Sequence, residues 1–246
     1  MKSFKNWLLK EESMSKRVLA VFDFDGTIAN VPEKPGPNAP RHHWSGKDWW
    51  GSEASLEAPF YDGGVNQEVI DAFKAAKADP ETHAILLTGR RGINAHAVRN
   101  VLRNQGLVGR RVIPDSNSKE MDKFKELLKH KKDVLHPEEM HDDSHDEYYS
   151  GDHRTESDYP IDPNSKKGKP AGDTMSHKTY VVKKIMHDGL EEVHFWDDRP
   201  DHVANWMTLG HELLQNWPNL KVAMLHRVTP PTGPGQKAKI EQVPIH

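Results

Sequence analysis

The chain contains no cysteine. A disulfide framework and a thiolate metal site are therefore both excluded. Its formal net charge is -3 over 246 residues, too near neutral for wholesale attraction to nucleic acid or to a membrane surface. The longest apolar runs have only the length of a strand, which excludes a spanning helix. No segment repeats. There is no Gly-x4-Gly-Lys-Ser/Thr phosphate loop, and "GPGQKAK" in the tail does not supply one. These absences lead us to expect a cytoplasmic protein with no membrane partner.

Five short apolar runs read as strands: "RVLAVF", "HAILLT", "RVIP", "EVHFW" and "KVAMLH". Stretches of helical periodicity lie between most of them. "NQEVIDAFKAAKAD" places Val69, Ile70, Phe73 and Ala76 on one face. "INAHAVRNVLRNQG" does so with Ile93, Ala97, Val101 and Leu102, and stops at Gly106. "KTYVVKKIMHDGL" and "HVANWMTLGHELLQNW" are two further helices. Strands alternating with helices predict an α/β fold, a doubly wound parallel sheet covered on both faces. The expected organisation is a docking helix over 1–16, one domain over 17–229 with inserts at 31–63 and 133–177, and a flexible tail over 230–246.

The first strand runs straight into two acids in "VLAVFDFDGTIAN". Side chains at i and i+2 of extended backbone share a side, so Asp23 and Asp25 crowd together at its end. The second strand ends in Thr88, Gly89, Arg90 and Arg91, and the fourth in Asp197, Asp198 and Arg199. Ligands of such sheets bind where strands end at their carboxyl termini. Four carboxylates around one crevice are costly without a hard cation, and oxygen-only ligands favour magnesium. An ion held in this way usually binds phosphate as well.

The ordered set "DFDGT", "LLTGR" and "WDDR" resembles the first, second and fourth motifs of the haloacid dehalogenase (HAD) superfamily of phosphohydrolases. Two branches are the most similar. The phosphatase domain of polynucleotide kinase-phosphatases resembles the chain in the "VV-K" helix, "DDR" and the Trp-containing helix that follows. The Swiss Army Knife RNA repair-like group resembles it in the segment of Trp44, Trp49 and Trp50, in "LLTGR", and in "DDRxxH" ending at His202. The likeness covers about residues 17 to 112 and 174 to 227, and leaves the central insert out.

The resemblance implies a Rossmannoid, HAD-like sheet with cap insertions, and a magnesium-dependent phosphomonoesterase. Its substrates would be RNA or DNA ends carrying a 3′-phosphate, or nucleotides. Asp23 would be the nucleophile that becomes an aspartyl-phosphate. Asp25 would protonate the leaving oxygen and then accept a proton from water. Magnesium would be held by Asp23, the backbone carbonyl of Asp25, and Asp197 with Asp198, the division between the last two being open. Thr88 would hydrogen-bond the phosphoryl oxygens beside Gly89, and a lysine would neutralise their charge. The resemblance places that lysine at Lys178, the opening of its helix; Lys183 and Lys184 are the alternatives. Arg90 would clamp a phosphate bidentately or pair with the acidic cluster. Arg199 is expected to pair within the structure, and His202 to be a buried, satisfied imidazole.

Two segments bear on the substrate. Trp49 and Trp50, with Trp44, lie beside Arg41, His42, His43 and Lys47, where rings either stack on bases or pack the insert onto the core. Residues 136–158 hold nine acidic residues, four His and one Arg. A metal group from His141, Asp143, His145 and His153 is the alternative there to a solvated acidic loop, the expected state. Two other functions stand beside the first: a phosphatase of small metabolites or mononucleotides, and a non-catalytic phosphate- or nucleic-acid-binding module.

Overall fold

A computed structural model of the chain describes residues 16–32, 52–90, 95–107, 147–149, 174–231 and 236–246. Six strands form one sheet: β1 (Val18–Phe22), β2 (Thr82–Leu87), β3 (Glu147–Tyr149), β4 (Glu192–Asp197), β5 (Val222–Thr229) and β6 (Lys239–Ile245). Their order is β3-β2-β1-β4-β5-β6. The first five run parallel, and β6 closes the edge antiparallel to β5. The chain winds outward from β1 in one direction through β2 and β3. It then returns to the other side of β1 with β4 and β5. That reversal makes the gap between the ends of β1 and β4 the switch point of the sheet.

The described helices are α1 (Gln67–Ala78), α2 (Ala95–Asn104), α3 (Thr174–Ile185) and α4 (Pro200–Asn216), with a 3-10 turn at Glu53–Leu56. Strand alternation sorts the core into two layers. Ala20 and Phe22 face α1 and α2, meeting Val69, Ile70, Phe73, Val98 and Val101. Leu19, Val21, Val193 and Phe195 face α3 and α4, meeting Val181, Val182, Trp206, Leu209 and Leu213. An α/β fold with a mostly parallel sheet covered on both faces is therefore present. No helix among the described residues is long and apolar enough to cross a membrane.

Local chemistry explains the helix ends. Gly106 takes a φ of +68°. Behind it, Gly106 N–H donates to the Arg103 carbonyl at 2.9 Å and Leu107 N–H to the Leu102 carbonyl at 3.0 Å. This paired closure needs a left-handed residue just past α2, which glycine supplies without strain. At the start of α4, Pro200 occupies the first turn, where a missing N–H costs nothing.

Three expectations are corrected. Helix α3 begins at Thr174, so Lys178 lies on its second turn rather than at its opening. The tail is not wholly flexible, since Lys239–Ile245 pair with β5. The apolar positions of "KIEQVPI" were obscured by the Pro- and Gly-rich stretch before them. Within the acidic insert, Glu147–Tyr149 extend the sheet beyond β2; two adjacent tyrosines suit a strand better than a solvated loop. The docking helix, "RVIP", Arg91, the three insert tryptophans and His141, Asp143, His145 and His153 lie outside the described residues.

The side chain of Ile245 packs onto α4 at Gly210, where an added Cβ would fall 2.5 Å from Ile245 Cδ1. Ile245 is buried in the layer against α4. Ile245→Ala should therefore cost about 2–4 kcal/mol, read as a lowered midpoint in thermal or urea unfolding. An unchanged midpoint would mean that β6 adds nothing to the fold.

Candidate active site

The site is assembled at the ends of β1 and β4. Phe22 and Trp196 are partners in register, and Asp23 N–H continues the ladder to the Trp196 carbonyl at 3.0 Å. Asp23 and Asp197 thus leave neighbouring strands side by side. Asp23 shares the parity of Leu19 and Val21, and Asp197 that of Val193 and Phe195, so both carboxylates point toward α3 and α4.

Helix α3 meets them with Lys178. Met175, Lys178, Val181 and Val182 form its inward stripe at helical spacing. Lys178 is wholly buried, and its Nζ lies 3.0 Å from Asp23 Oδ1 and 2.7 Å from Asp197 Oδ2. Burial opposes its charge, but Asp197 and Asp23 outweigh burial and raise its pKa. The two alternatives are elsewhere: Lys183 pairs with Glu212 at the surface, and Lys184 lies over the Tyr180 ring.

Helix α4 completes the group around Asp197. Trp206 Nε1–H donates to Asp197 Oδ2 at 2.9 Å, and Arg199 N–H to Oδ1 at 3.1 Å. His202 Nδ1 lies 3.0 and 3.1 Å from the two oxygens, so this nitrogen carries the proton and donates. Its 3.4 Å separation from Lys178 Nζ is then a contact of two donors, not a hydrogen bond. Burial and the Lys178 charge lower the His202 pKa, against the pull of Asp197. Burial would raise the Asp197 pKa, but Lys178 and His202 hold it below the usual carboxylate range. His202 is thus the satisfied imidazole expected, and Arg199 pairs locally with Asp201.

Asp198 points the other way. Thr27 Oγ1–H donates to its Oδ1 at 3.1 Å. Gly26, with a φ of +76°, lies so close that an added Cβ would be 2.2 Å from Asp198 Oδ2. The turn that carries Gly26 is fixed twice over. Gly26 N–H donates to the Ala29 carbonyl at 2.8 Å, and Asn66 Nδ2 donates to the Gly26 and Thr27 carbonyls at 2.8 and 2.7 Å.

The tip of β2 brings the third component. Thr88 is buried, and its Oγ1 accepts from Arg90 N–H at 3.1 Å. Arg90 grips Asp25: Nε lies 2.8 and 3.0 Å from the two oxygens, and Nη2 lies 2.6 Å from Oδ1. Its Nη1 donates to the Ser52 carbonyl at 3.2 Å, linking Asp25 to a residue within the first insert. Of the two readings of Arg90, the ion pair with the acidic cluster is the one present. Gly89 allows β2 to approach α3, since a Cβ there would meet Thr174 Cγ2 at 2.5 Å.

Asp23, Asp197 and His202 each offer a ligand atom within 4.8 Å of the others. The ammonium of Lys178 already bridges the two carboxylates of that group, and Asp197 accepts on both oxygens. A cation would find Asp23 and the half-buried Asp198 the more available pair. Burial pushes the Asp23 pKa well up; Lys178 opposes this, while Asp197, Asp198 and Asp25 add to it.

Trp206, Asn66 and the Ser52 carbonyl were not singled out from sequence. Only Trp206 carried a signal, because a buried indole N–H needs an acceptor. Trp49 and Trp50 lie outside the described residues.

Gly26→Ala should cost roughly 1–2 kcal/mol in left-handed strain, and its methyl would displace Asp198. Melting curves with and without magnesium check this. The wild type should gain stability from the ion and the variant much less; an equal gain would separate Asp198 from ion binding. No known family model matches the chain, and no curated protein matches it either.

Proposed function

We propose that the protein is a magnesium-dependent phosphomonoesterase with a HAD-like fold, acting through an aspartyl-phosphate at Asp23. The observation that supports this most is the wholly buried Lys178, set between Asp23 and Asp197. A buried ion pair is poor value as a stabiliser, because desolvation offsets most of its attraction. It has a clear use where negative charge grows on phosphoryl oxygens. The position agrees, since ligands of such sheets bind at the switch point.

In this reading Asp23 attacks phosphorus in line with the leaving ester oxygen. The P–O ester bond breaks, the phosphoryl group passes to the Asp23 carboxylate, and Asp25 gives its proton to the leaving oxygen. Water then attacks the phosphorus of the acyl-phosphate and gives its proton to Asp25. Asp23 is regenerated and inorganic phosphate leaves. Lys178 and Thr88 hold the phosphoryl oxygens. The Arg90 guanidinium holds both oxygens of Asp25. Donating a proton in the first step requires this pair to loosen.

The donor set fits a divalent cation. Four carboxylates meet two buried cations, Lys178 and Arg90, and hard oxygen ligands favour magnesium. Asp23, the Asp25 carbonyl and Asp198 would hold it, with Asp197 engaged behind them. Magnesium, when bound, supplies positive charge beside the phosphoryl oxygens.

The leading substrate is a nucleic-acid end bearing a 3′-phosphate. One observation favours the alternative, a small metabolite or mononucleotide: Arg90 is occupied by Asp25 and Ser52 rather than presented to a second phosphate.

The test is phosphate release from phosphorylated oligonucleotides, mononucleotides and sugar phosphates, with magnesium. The wild type should turn over, and Asp23→Asn should fall to background while melting normally. Turnover by Asp23→Asn near the wild-type rate would refute the nucleophile. A kcat/KM that rises with oligonucleotide length and falls with salt supports the nucleic-acid substrate. Equal efficiency on a nucleoside monophosphate at all salt concentrations transfers the assignment to the alternative.

A further inference from the structure

We propose that Trp206 is a positioning residue for catalysis, holding Asp197 so that Asp197 aims Lys178 at Asp23; the kinetic part rests on the phosphatase reading. Lysine is a long, flexible side chain with a compact charge, and its ammonium goes where its acceptors are. Two of those acceptors are Asp23 Oδ1 and Asp197 Oδ2. Asp23 would change state during turnover, from carboxylate to acyl-phosphate, so it cannot anchor the ammonium throughout. Asp197 is the fixed one.

The indole fixes Asp197 Oδ2 together with His202 Nδ1, which lies 3.0 Å from the same oxygen. Trp206 is 1% exposed, and its ring stacks on Phe195 with centroids 4.3 Å apart and planes 16° apart. Phe195 is two residues before Asp197 on the same strand. The indole N–H therefore reaches Oδ2 from a ring that cannot turn away, at 2.9 Å. The same ring lies 5.8 Å from Lys178 Nζ, within the range of a cation–π attraction. Trp206 thus touches both members of the pair. The spacing of His202 and Trp206, four residues apart on α4, puts both donors on one helical face toward Asp197.

A purely packing role makes a different demand. An indole serving only to fill the core would need its area and its stack, not its N–H on this carboxylate. Trp206→Phe keeps an aromatic ring and removes the donor. Benzothienylalanine at 206, an indole isostere with sulfur in place of N–H, keeps the full ring if the Phe variant does not fold.

Two readouts decide, made on the full chain. The first is nitrogen NMR of the Lys178 ammonium, assigned by its loss in Lys178→Met; this does not depend on turnover. The second is kcat and KM for a phosphomonoester together with inhibition by orthovanadate, which mimics the five-coordinate transition state. The proposal expects the ammonium signal to shift or exchange faster. It also expects kcat to fall about ten- to a hundredfold, as for loss of a charge-assisted bond. KM should stay within about twofold, and vanadate should weaken in step with kcat/KM. An unchanged ammonium signal overturns the proposal whether or not the enzyme turns over. So do unchanged kcat and vanadate inhibition in a folded variant of an active enzyme. A shifted signal in a protein whose wild type releases no phosphate and ignores vanadate keeps the link from Trp206 to Lys178 and removes the phosphatase reading instead.

Discussion

A lysine ammonium buried between two carboxylates governs this molecule's architecture. Burying a charge is expensive unless it is paired and hydrogen-bonded. Lys178 meets that condition only because three separate pieces of chain converge on it. The parallel register of β1 and β4 sets Asp23 beside Asp197. The inward stripe of α3 delivers the lysine, and the first turns of α4 supply the donors that hold Asp197. Loss of Lys178 would leave two facing buried carboxylates with no ammonium between them, a type of change that typically destabilises by about 3–5 kcal/mol. The sheet and both helices of that layer are therefore tied to the chemistry of the site.

The two acids of "DDR" show how backbone geometry divides labour. Successive side chains of an extended segment point to opposite sides. Asp197 faces inward, where Lys178, His202, Trp206 and the Arg199 amide occupy its oxygens. Asp198 faces the Gly26–Thr27 turn, beside the acids at the end of β1. One carboxylate organises the lysine and the other stays accessible. A similar separation holds for the first strand. Asp23 turns toward Lys178, whereas Asp25 lies in the grip of Arg90, which also ties it to the Ser52 carbonyl within the first insert.

Much of this was legible in the sequence, for identifiable reasons. Four of the five apolar runs are strands, because strand-length runs of β-branched and aromatic residues bounded by acids or turns have few other uses. Lys178, expected from the sequence beside the acids of the strand ends, lies between Asp23 and Asp197. Its place in an apolar stripe with Met175, Val181 and Val182 is also an independent sign of burial, which Lys183 and Lys184 lack. Other features were not legible because they depend on tertiary contact. Whether Arg90 would meet a phosphate or Asp25 turns on the distance between the tips of β1 and β2. That Asp197 and Asp198 would differ follows from the side each faces, not from their identical chemistry. β6 was missed because a strand at the sheet edge carries a weak alternation, here interrupted by Pro244. The role of Trp206 follows from a stack on Phe195 that only the packed core reveals.

Trapping the covalent intermediate tests the central claim most directly. The protein would be mixed with magnesium and a labelled phosphomonoester, quenched in acid within one turnover, digested and analysed by mass spectrometry. Asp23 as nucleophile predicts a labelled phosphoryl group on the peptide that spans β1, at Asp23 itself. Turnover that proceeds with the label passing straight to water, and with that peptide unmodified throughout, would contradict it.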